Sequence, residues 1–288
     1  MESIVTRITV SAFMLLLVSC AEDRPELSGG LYFAAGGYLA ELDLRNGDTR
    51  VVTSLGDDTI VELAPQGDER LLLTVLSEVN RQDVHSVVLY DLPSKQLLRF
   101  FDGKSGRYLP GTKTLVYDDG AQVVVRRRTG EDWETIEVAT HPLRVPVQIV
   151  PISDSAFLFA IGGGSPQLYA LDTAPPTSPG LAERCTLDAA LWVAEFDALL
   201  CRRTDKPAEY AFVSLDGEIV ESLSLPAGRP LRAVAYAADQ GIVILTEQWQ
   251  SLVGERPKYA IWIHHRDTGR SYRLVDNQHL GETVVYRP

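Results

Sequence analysis

A unit of about forty-three residues repeats along this chain, and it restricts the fold more than any other feature. Five segments share one pattern, a short apolar strand, a turn and a second strongly apolar strand: VELAPQGDERLLLTV, RYLPGTKTLVYDD, QIVPISDSAFLFAI, LWVAEFDALLCRR and AVAYAADQGIVILTE. Their turn residues, Gly67, Gly111, Asp154, Asp197 and Asp239, are 44, 43, 43 and 42 apart. A second hairpin recurs midway, turning at Asn46-Gly47, Pro93-Ser94, Thr129-Gly130, Asp216-Gly217 and Thr268-Gly269. Asn-Gly and Asp-Gly close two-residue hairpins because both residues tolerate positive φ. Two hairpins per period make four strands, the content of one propeller blade.

From Leu31 onward the chain reads as short apolar runs broken by turn residues, with no helical periodicity, so the fold class is all-β. Complete units begin near Ile60, Arg107, Gln148, Arg184 and Leu231. Before them, residues 31–55 supply three strands, and after them ETVVYRP supplies one. Three plus one completes a sixth blade and closes the ring, so a six-bladed β-propeller over residues 31–288 is expected. A seven-bladed ring with one degenerate blade is the alternative, and a β-sandwich ranks below both because the period is regular.

The segment LAPQGDERLLLTV, residues 63–75, resembles the strand-turn-strand unit of TolB-like and WD-repeat propellers. The likeness covers most of the chain in architecture and few of its residues. The Trp-Asp and Gly-His pairs of WD repeats are absent, and the Asp-Gly of the TolB-like turn survives only as Gln66-Gly67-Asp68.

The N-terminus carries Arg7 and then an uncharged stretch from Ile8 to Val18, long enough for a signal-peptide core and too short to span a bilayer. It ends in Leu17-Val18-Ser19-Cys20, which resembles the lipobox of bacterial lipoproteins. That resemblance implies a signal peptide at residues 1–19, lipidation of Cys20 and a tether over residues 20–30. Because each buried methylene contributes about 0.8 kcal/mol, two or three acyl chains suffice to hold a protein at a membrane. Ala21 follows the cysteine, and in the Gram-negative sorting rule a residue other than Asp there directs the protein to the outer membrane. The expected location is therefore the cell envelope, with the outer membrane as the address if the cell has two.

Removing residues 1–19 takes one acid, Glu2, and one base, Arg7, so the formal charge stays at −12. Such a chain gains nothing from neutralising phosphates, which argues against nucleic acid and anionic lipid surfaces as partners. Cys185 and Cys201 remain. If they lie on strands joined near residues 195–197, Cys201 faces roughly residue 190 and Cys185 is several residues further along. That offset exceeds disulfide reach, so two reduced, buried thiols are expected ahead of the bridge that an oxidising envelope compartment would allow.

Motifs for chemistry fail on spacing. Gly103-Lys104-Ser105 lacks the glycine five positions earlier, where Leu98 stands, and no helix follows, so it reads as a turn between blades. Residues Gly162 to Pro166 lack the Gly-x-Ser-x-Gly spacing and read as a flexible hairpin or as a place where backbones approach closely in the ring. His264 and His265 adjoin on a strand and point to opposite faces, so they cannot share a metal. His85, His141 and His279 are scattered on expected loops or loop edges, and Arg126-Arg127-Arg128 reads as an exposed strand end. No catalytic residue, metal site or cofactor is assigned.

Loop length is the remaining functional signal. Two second-to-third-strand loops look long, LSEVNRQDVHS at residues 76–86 and EQWQSLVGERPK at residues 247–258, while the closing blade between them has only Gly36-Gly37. The candidate binding face is Glu78, Arg81, Asp83, Glu247, Trp249, Glu255 and Arg256. The expectation is a monomeric, lipid-anchored, non-enzymatic propeller that binds an envelope protein or peptide there. The alternative is a small-ligand-binding or lactonase-type propeller using the central funnel, where the inner strands offer mainly Glu62 and Asp188.

Overall fold

The computed structural model describes residues 27–67, 69–129, 132–171, 173–226, 229, 231–249, 258–277 and 283–288. Its strands form six four-stranded antiparallel sheets, not seven, arranged as a six-bladed β-propeller. The first blade is composite: β1 (Gly30–Ala35), β2 (Tyr38–Asp43) and β3 (Thr49–Ser54) take the last strand of the chain, β24 (Val284–Arg287), on their inner edge. The second holds β4 (Thr59–Gln66), β5 (Arg70–Val79), β6 (Gln82–Asp91) and β7 (Gln96–Asp102). The third holds β8 (Lys104–Tyr108), β9 (Thr114–Asp118), β10 (Gln122–Thr129) and β11 (Asp132–Thr140). The fourth holds β12 (Val147–Pro151), β13 (Ala156–Ile161), β14 (Gln167–Ala170) and β15 (Thr173–Thr177). The fifth holds β16 (Cys185–Val193), β17 (Ala198–Arg203), β18 (Tyr210–Ser214) and β19 (Ile219–Leu223). The sixth holds β20 (Leu231–Ala237), β21 (Ile242–Trp249), β22 (Lys258–His265) and β23 (Ser271–Asn277).

The run-like apolar patterning follows from this packing. A blade is covered on both faces by its neighbours, so its middle strands carry no polar alternation. On β5, Leu71 and Leu73 join the cluster shared with the first blade, while Leu72 joins the one shared with the third. On β21, Ile242 and Ile244 face the first blade, and Val243 and Leu245 face the fifth. Each interface between neighbouring blades has one such cluster, and each fully buried Leu or Ile contributes roughly 1.5–3 kcal/mol.

Closure rests on more than β1–β24 pairing, which runs from Gly30↔Arg287 to Phe33↔Val284. Ser28 donates its backbone N–H to the Gln240 side-chain oxygen at 3.1 Å, and the Gln240 amide donates to the Ser28 carbonyl at 3.1 Å. The chain thus enters beside the β20–β21 turn of the sixth blade. Cβ freedom is unavailable at Gly29, whose φ is +88° and where an added Cβ would lie 2.2 Å from the Arg287 carbonyl oxygen.

The cysteine expectation is overturned. Cys185 and Cys201 are disulfide-bonded, with Cα atoms 5.7 Å apart. The reason is a bulge: Thr186 pairs with Arg202, but the next pair along is Leu191 with Leu200. Four residues, 187–190, therefore stand against Cys201 alone and absorb the offset that a regular ladder would have kept.

Candidate functional site

Two faces of the ring are distinguished by strand direction. The inner strands β24, β4, β8, β12, β16 and β20 begin at what is termed here the upper face and end at the lower one. β4 starts with Thr59 opposite Leu76, but β5 continues past it, pairing Ser77 with Val84, Glu78 with Asp83 and Val79 with Gln82 on β6. The two-residue turn at its tip, Asn80-Arg81, has φ of 53° and 64°. The segment expected to be a loop over residues 76–86 is thus a continuous hairpin that projects three residue pairs above the ring. Glu78, Arg81 and Asp83 are exposed on it, as is Val79.

Blade one, between the second and sixth, is low. Leu55 donates its N–H to the Gly37 carbonyl at 2.8 Å and Ile60 donates to Gly36 at 2.9 Å, so the connection to the second blade folds down over this turn. A Cβ on Gly37 would lie 2.6 Å from the Asp58 carbonyl oxygen, which is why the position needs glycine. Beyond it, β21 runs two residues past Glu247, the partner of Leu231, and ends at Trp249. Of Trp249 only this backbone position is described. Glu255 and Arg256, like Cys20 and His279, lie outside the described residues.

Glu247 is a correction. Expected on a loop, it sits on β21 at 6% exposure, accepting from the Trp262 indole N–H at 2.8 Å and pairing with Arg229 at 2.8 Å. The Arg229 guanidinium lies 4.7 Å from the Trp262 ring centroid. β21 pairs with β22 as far as Trp249, so Glu247 never reaches a loop. It braces the upper edge of the sixth blade and presents no free carboxylate.

The inner strands place polar side chains around the channel. Leu63 donates its N–H to Thr283 Oγ1 at 2.9 Å, tying β4 to the start of β24. Next around the ring, Glu62 is ion-paired to Arg107 of β8. On the far side, Asp188 of β16 is paired to Arg232 of β20 at 2.5 Å, with Arg202 of β17 at 3.9 Å. Both carboxylates singled out in the funnel are thus engaged by arginines of a neighbouring strand or blade. Neither stands as a lone general acid or base. Among the described residues no three His, Cys, Asp or Glu side chains gather where they could hold a metal ion.

The scattered histidines have separate tasks. His141 is buried between the Pro142 carbonyl, 3.0 Å from Nδ1, and Asp118 Oδ1, 3.1 Å from Nε2, while Lys104 Nζ lies 3.4 Å from the other Asp118 oxygen. This cluster joins the start of the third blade's inner strand to the connection leaving its outer one. His85, on β6, is held below the usual histidine range by burial and by the nearby Lys104 charge. His264 contacts Ser271 Oγ at 2.8 Å, whereas His265 stacks on Tyr272, and burial lowers both histidines' basicity. Arg126 is held between Phe101 and Trp133, at 5.3 and 5.6 Å from their centroids, and Arg127 pairs with Glu134 at 2.8 Å. On the lower face, a polar cleft of about 440 Å³ lies where the chain enters, lined by Glu41, Asp43, Arg45 and Arg287 among others.

No protein-family model matches the chain. No curated protein matches it either. Solved structures do. A protein of unknown function from Bacteroides caccae superposes with a TM-score of 0.60 at 12% identity, over 90% of this chain and 99% of that one. A chain of the mitotic checkpoint complex gives 0.52 at 12% identity, over 91% and 82%. Apo AztD from Citrobacter koseri gives 0.50 at 9%, over 89% and 98%. At these identities the likeness shows the β-propeller fold and nothing about activity. Lyase-like and lactonase-like propellers also match, at TM-scores of 0.46 and 0.49, too low to carry an argument. Against the tricorn protease the chain spans 25% of the other's length, with a TM-score of 0.36.

Proposed function

We propose that this chain is a lipid-anchored envelope protein acting as a non-enzymatic interaction scaffold through its upper face. The observation that carries the reading is the β5–β6 hairpin, which lifts exposed Glu78, Val79, Arg81 and Asp83 above the ring beside a low first blade. A two-stranded ribbon held by a rigid sheet presents its tip at little entropic cost, which suits recognition. The tether supports the same orientation. The chain enters at Leu27 on the lower face, seven residues from Cys20, and seven residues reach at most about 25 Å. An acylated Cys20 would keep the lower face near the membrane and turn the hairpin away from it. The buried Cys185–Cys201 disulfide supports export independently of the lipobox, because such bonds persist in oxidising compartments.

The test is crosslinking and capture of the full-length protein from detergent-solubilised membranes, beside Arg81→Glu, Trp249→Ala and Cys20→Ala variants. A stoichiometric partner lost with Arg81→Glu, while the melting temperature stays unchanged, is the expected result. A folded, lipidated sample that captures nothing, or a partner indifferent to both face variants, rejects the upper-face reading.

A further inference from the structure

We propose that the polar cleft on the lower face binds a phosphodiester of ethanolamine, its phosphate on the Arg287 and Arg45 side and its ammonium on Asp43 and Glu41. This is independent of the hairpin reading and concerns the opposite end of the ring. The ligand is a charge-neutral dipole, which a chain of net charge −12 neither attracts nor repels at long range.

The cleft is a consequence of strand register. Gly30 pairs with Arg287 on one side and with Asp43 on the other, so the three form one row across β24, β1 and β2. Residues directly opposite in antiparallel strands project from the same sheet face. With neighbouring strands about 4.8 Å apart, a cation and an anion stand about 10 Å apart at their backbones, and only a glycine lies between them. Tyr32 and Glu41 pair in the next row on that face. A Cβ on Gly30 would lie 3.0 Å from Glu41 Oε1, so the missing side chain leaves room into which that carboxylate leans. The resulting volume of about 440 Å³ falls within the range of small-molecule sites.

The poles are placed in advance. Asp43 Oδ1 accepts the Arg45 N–H at 2.8 Å, while the Asp43 backbone exchanges hydrogen bonds with Asp48 and Gly47, both at 2.9 Å. Glu41 gives its Oε2 to Arg50 at 2.6 Å, which leaves Oε1 on the cleft side. The Arg287 guanidinium lies 5.7 Å from the Tyr32 ring centroid. Among the described residues no carboxylate is ion-paired with Arg287 or Arg45. Burial, and then the Glu41 charge, push the Tyr32 hydroxyl up, so it stays neutral between the poles.

This chemistry selects among dipoles. A primary ammonium donates three hydrogen bonds, for which Asp43 and Glu41 Oε1 supply acceptors. A trimethylammonium group donates none and is recognised by open aromatic faces, but Tyr32 is 7% exposed and already carries Arg287 on its ring. An α-amino acid holds its two charges on one carbon, too close to reach side chains set two strands apart. The ethanolamine bridge separates them further, and guanidinium forks suit phosphate oxygens. The same unit occurs in soluble glycerophosphodiesters and in membrane-lipid headgroups, and the lower face is the one that a lipidated Cys20 would hold near a bilayer.

The experiment titrates full-length protein in a maltoside detergent with glycerophosphoethanolamine, and with glycerophosphocholine as the control, by calorimetry. The ethanolamine diester should bind at least tenfold tighter than the choline diester. Arg287→Gln should weaken it at least tenfold, and Asp43→Asn, which keeps the turn hydrogen bond, should remove most of the discrimination between the two. Repeating the titration in mixed micelles with phosphatidylethanolamine separates the sources: lost probe binding identifies the lipid headgroup as occupant, and unchanged binding identifies the soluble diester. The proposal is overturned if neither probe binds the native chain, if both bind it equally, or if both variants bind as native does. Circular dichroism establishes that each variant is folded.

Discussion

Reducing the Cys185–Cys201 bond tests the point on which sequence and structure part. The cysteines are 16 residues apart. Closing a loop of that size removes unfolded-chain entropy worth about 3 kcal/mol at room temperature. For a domain somewhat above 200 residues, each kcal/mol moves the melting temperature by roughly 2–4 °C, so loss of the bond should lower it by about 6–12 °C. Reduction leaves both sulfur atoms in the cluster they share with Leu187, Leu199 and Val213, so it isolates the crosslink from the packing. A Cys185→Ala/Cys201→Ala double variant removes both and should fall further. The assay is a thermal melt of oxidised and reduced protein, paired with alkylation and peptide mapping of the never-reduced chain. Alkylation of Cys185 and Cys201 without reductant would refute the bond itself. A shift under about 2 °C with the bond confirmed would refute the loop-entropy reasoning and mean that β16–β17 already constrains the denatured chain.

Other predictions follow from burial and closure. Phe157→Ala, at a fully buried ring 5.4 Å from Tyr169 and 6.0 Å from Phe159, should cost about 3–5 kcal/mol in urea unfolding. Gly29→Ala should destabilise by more than Gly47→Ala: both have positive φ, but only Gly29 would drive its Cβ into a neighbouring backbone oxygen, whereas Gly47 has open space. A comparison of the two midpoints checks this, and equal losses would deny Gly29 its place in closure. The Tyr286 hydroxyl, pushed up to about 12 by burial and by the Asp239 charge, is neutral in the folded state well past the point where an unfolded tyrosine ionises. Its contribution is therefore complete below about pH 10 and is lost as pH rises from there through about 12. Stability should fall over that range, and less steeply in Tyr286→Phe, although other tyrosines whose ionisation is also held back will keep some slope.

The period, the closing strand and the positions of the turns were legible because each rests on local chemistry. Gly67 and Gly111 do adopt positive φ, at 59° and 68°, and Asp197 does so at 48° without being glycine. Apolar runs such as Leu71 to Leu73 announce two covered faces whatever the partner. What was not legible depended on how far a strand continues. Residues 76–86 carry Ser, Glu, Asn, Arg, Gln and Asp, a loop-like composition, yet the Asn80-Arg81 turn lets polar strands pair in full. Glu247 misled for the same reason, since nothing local shows that Trp262 will need an acceptor. The bulge at residues 187–190 left no mark that periodicity could detect, and it decided both the disulfide and the placement of Asp188.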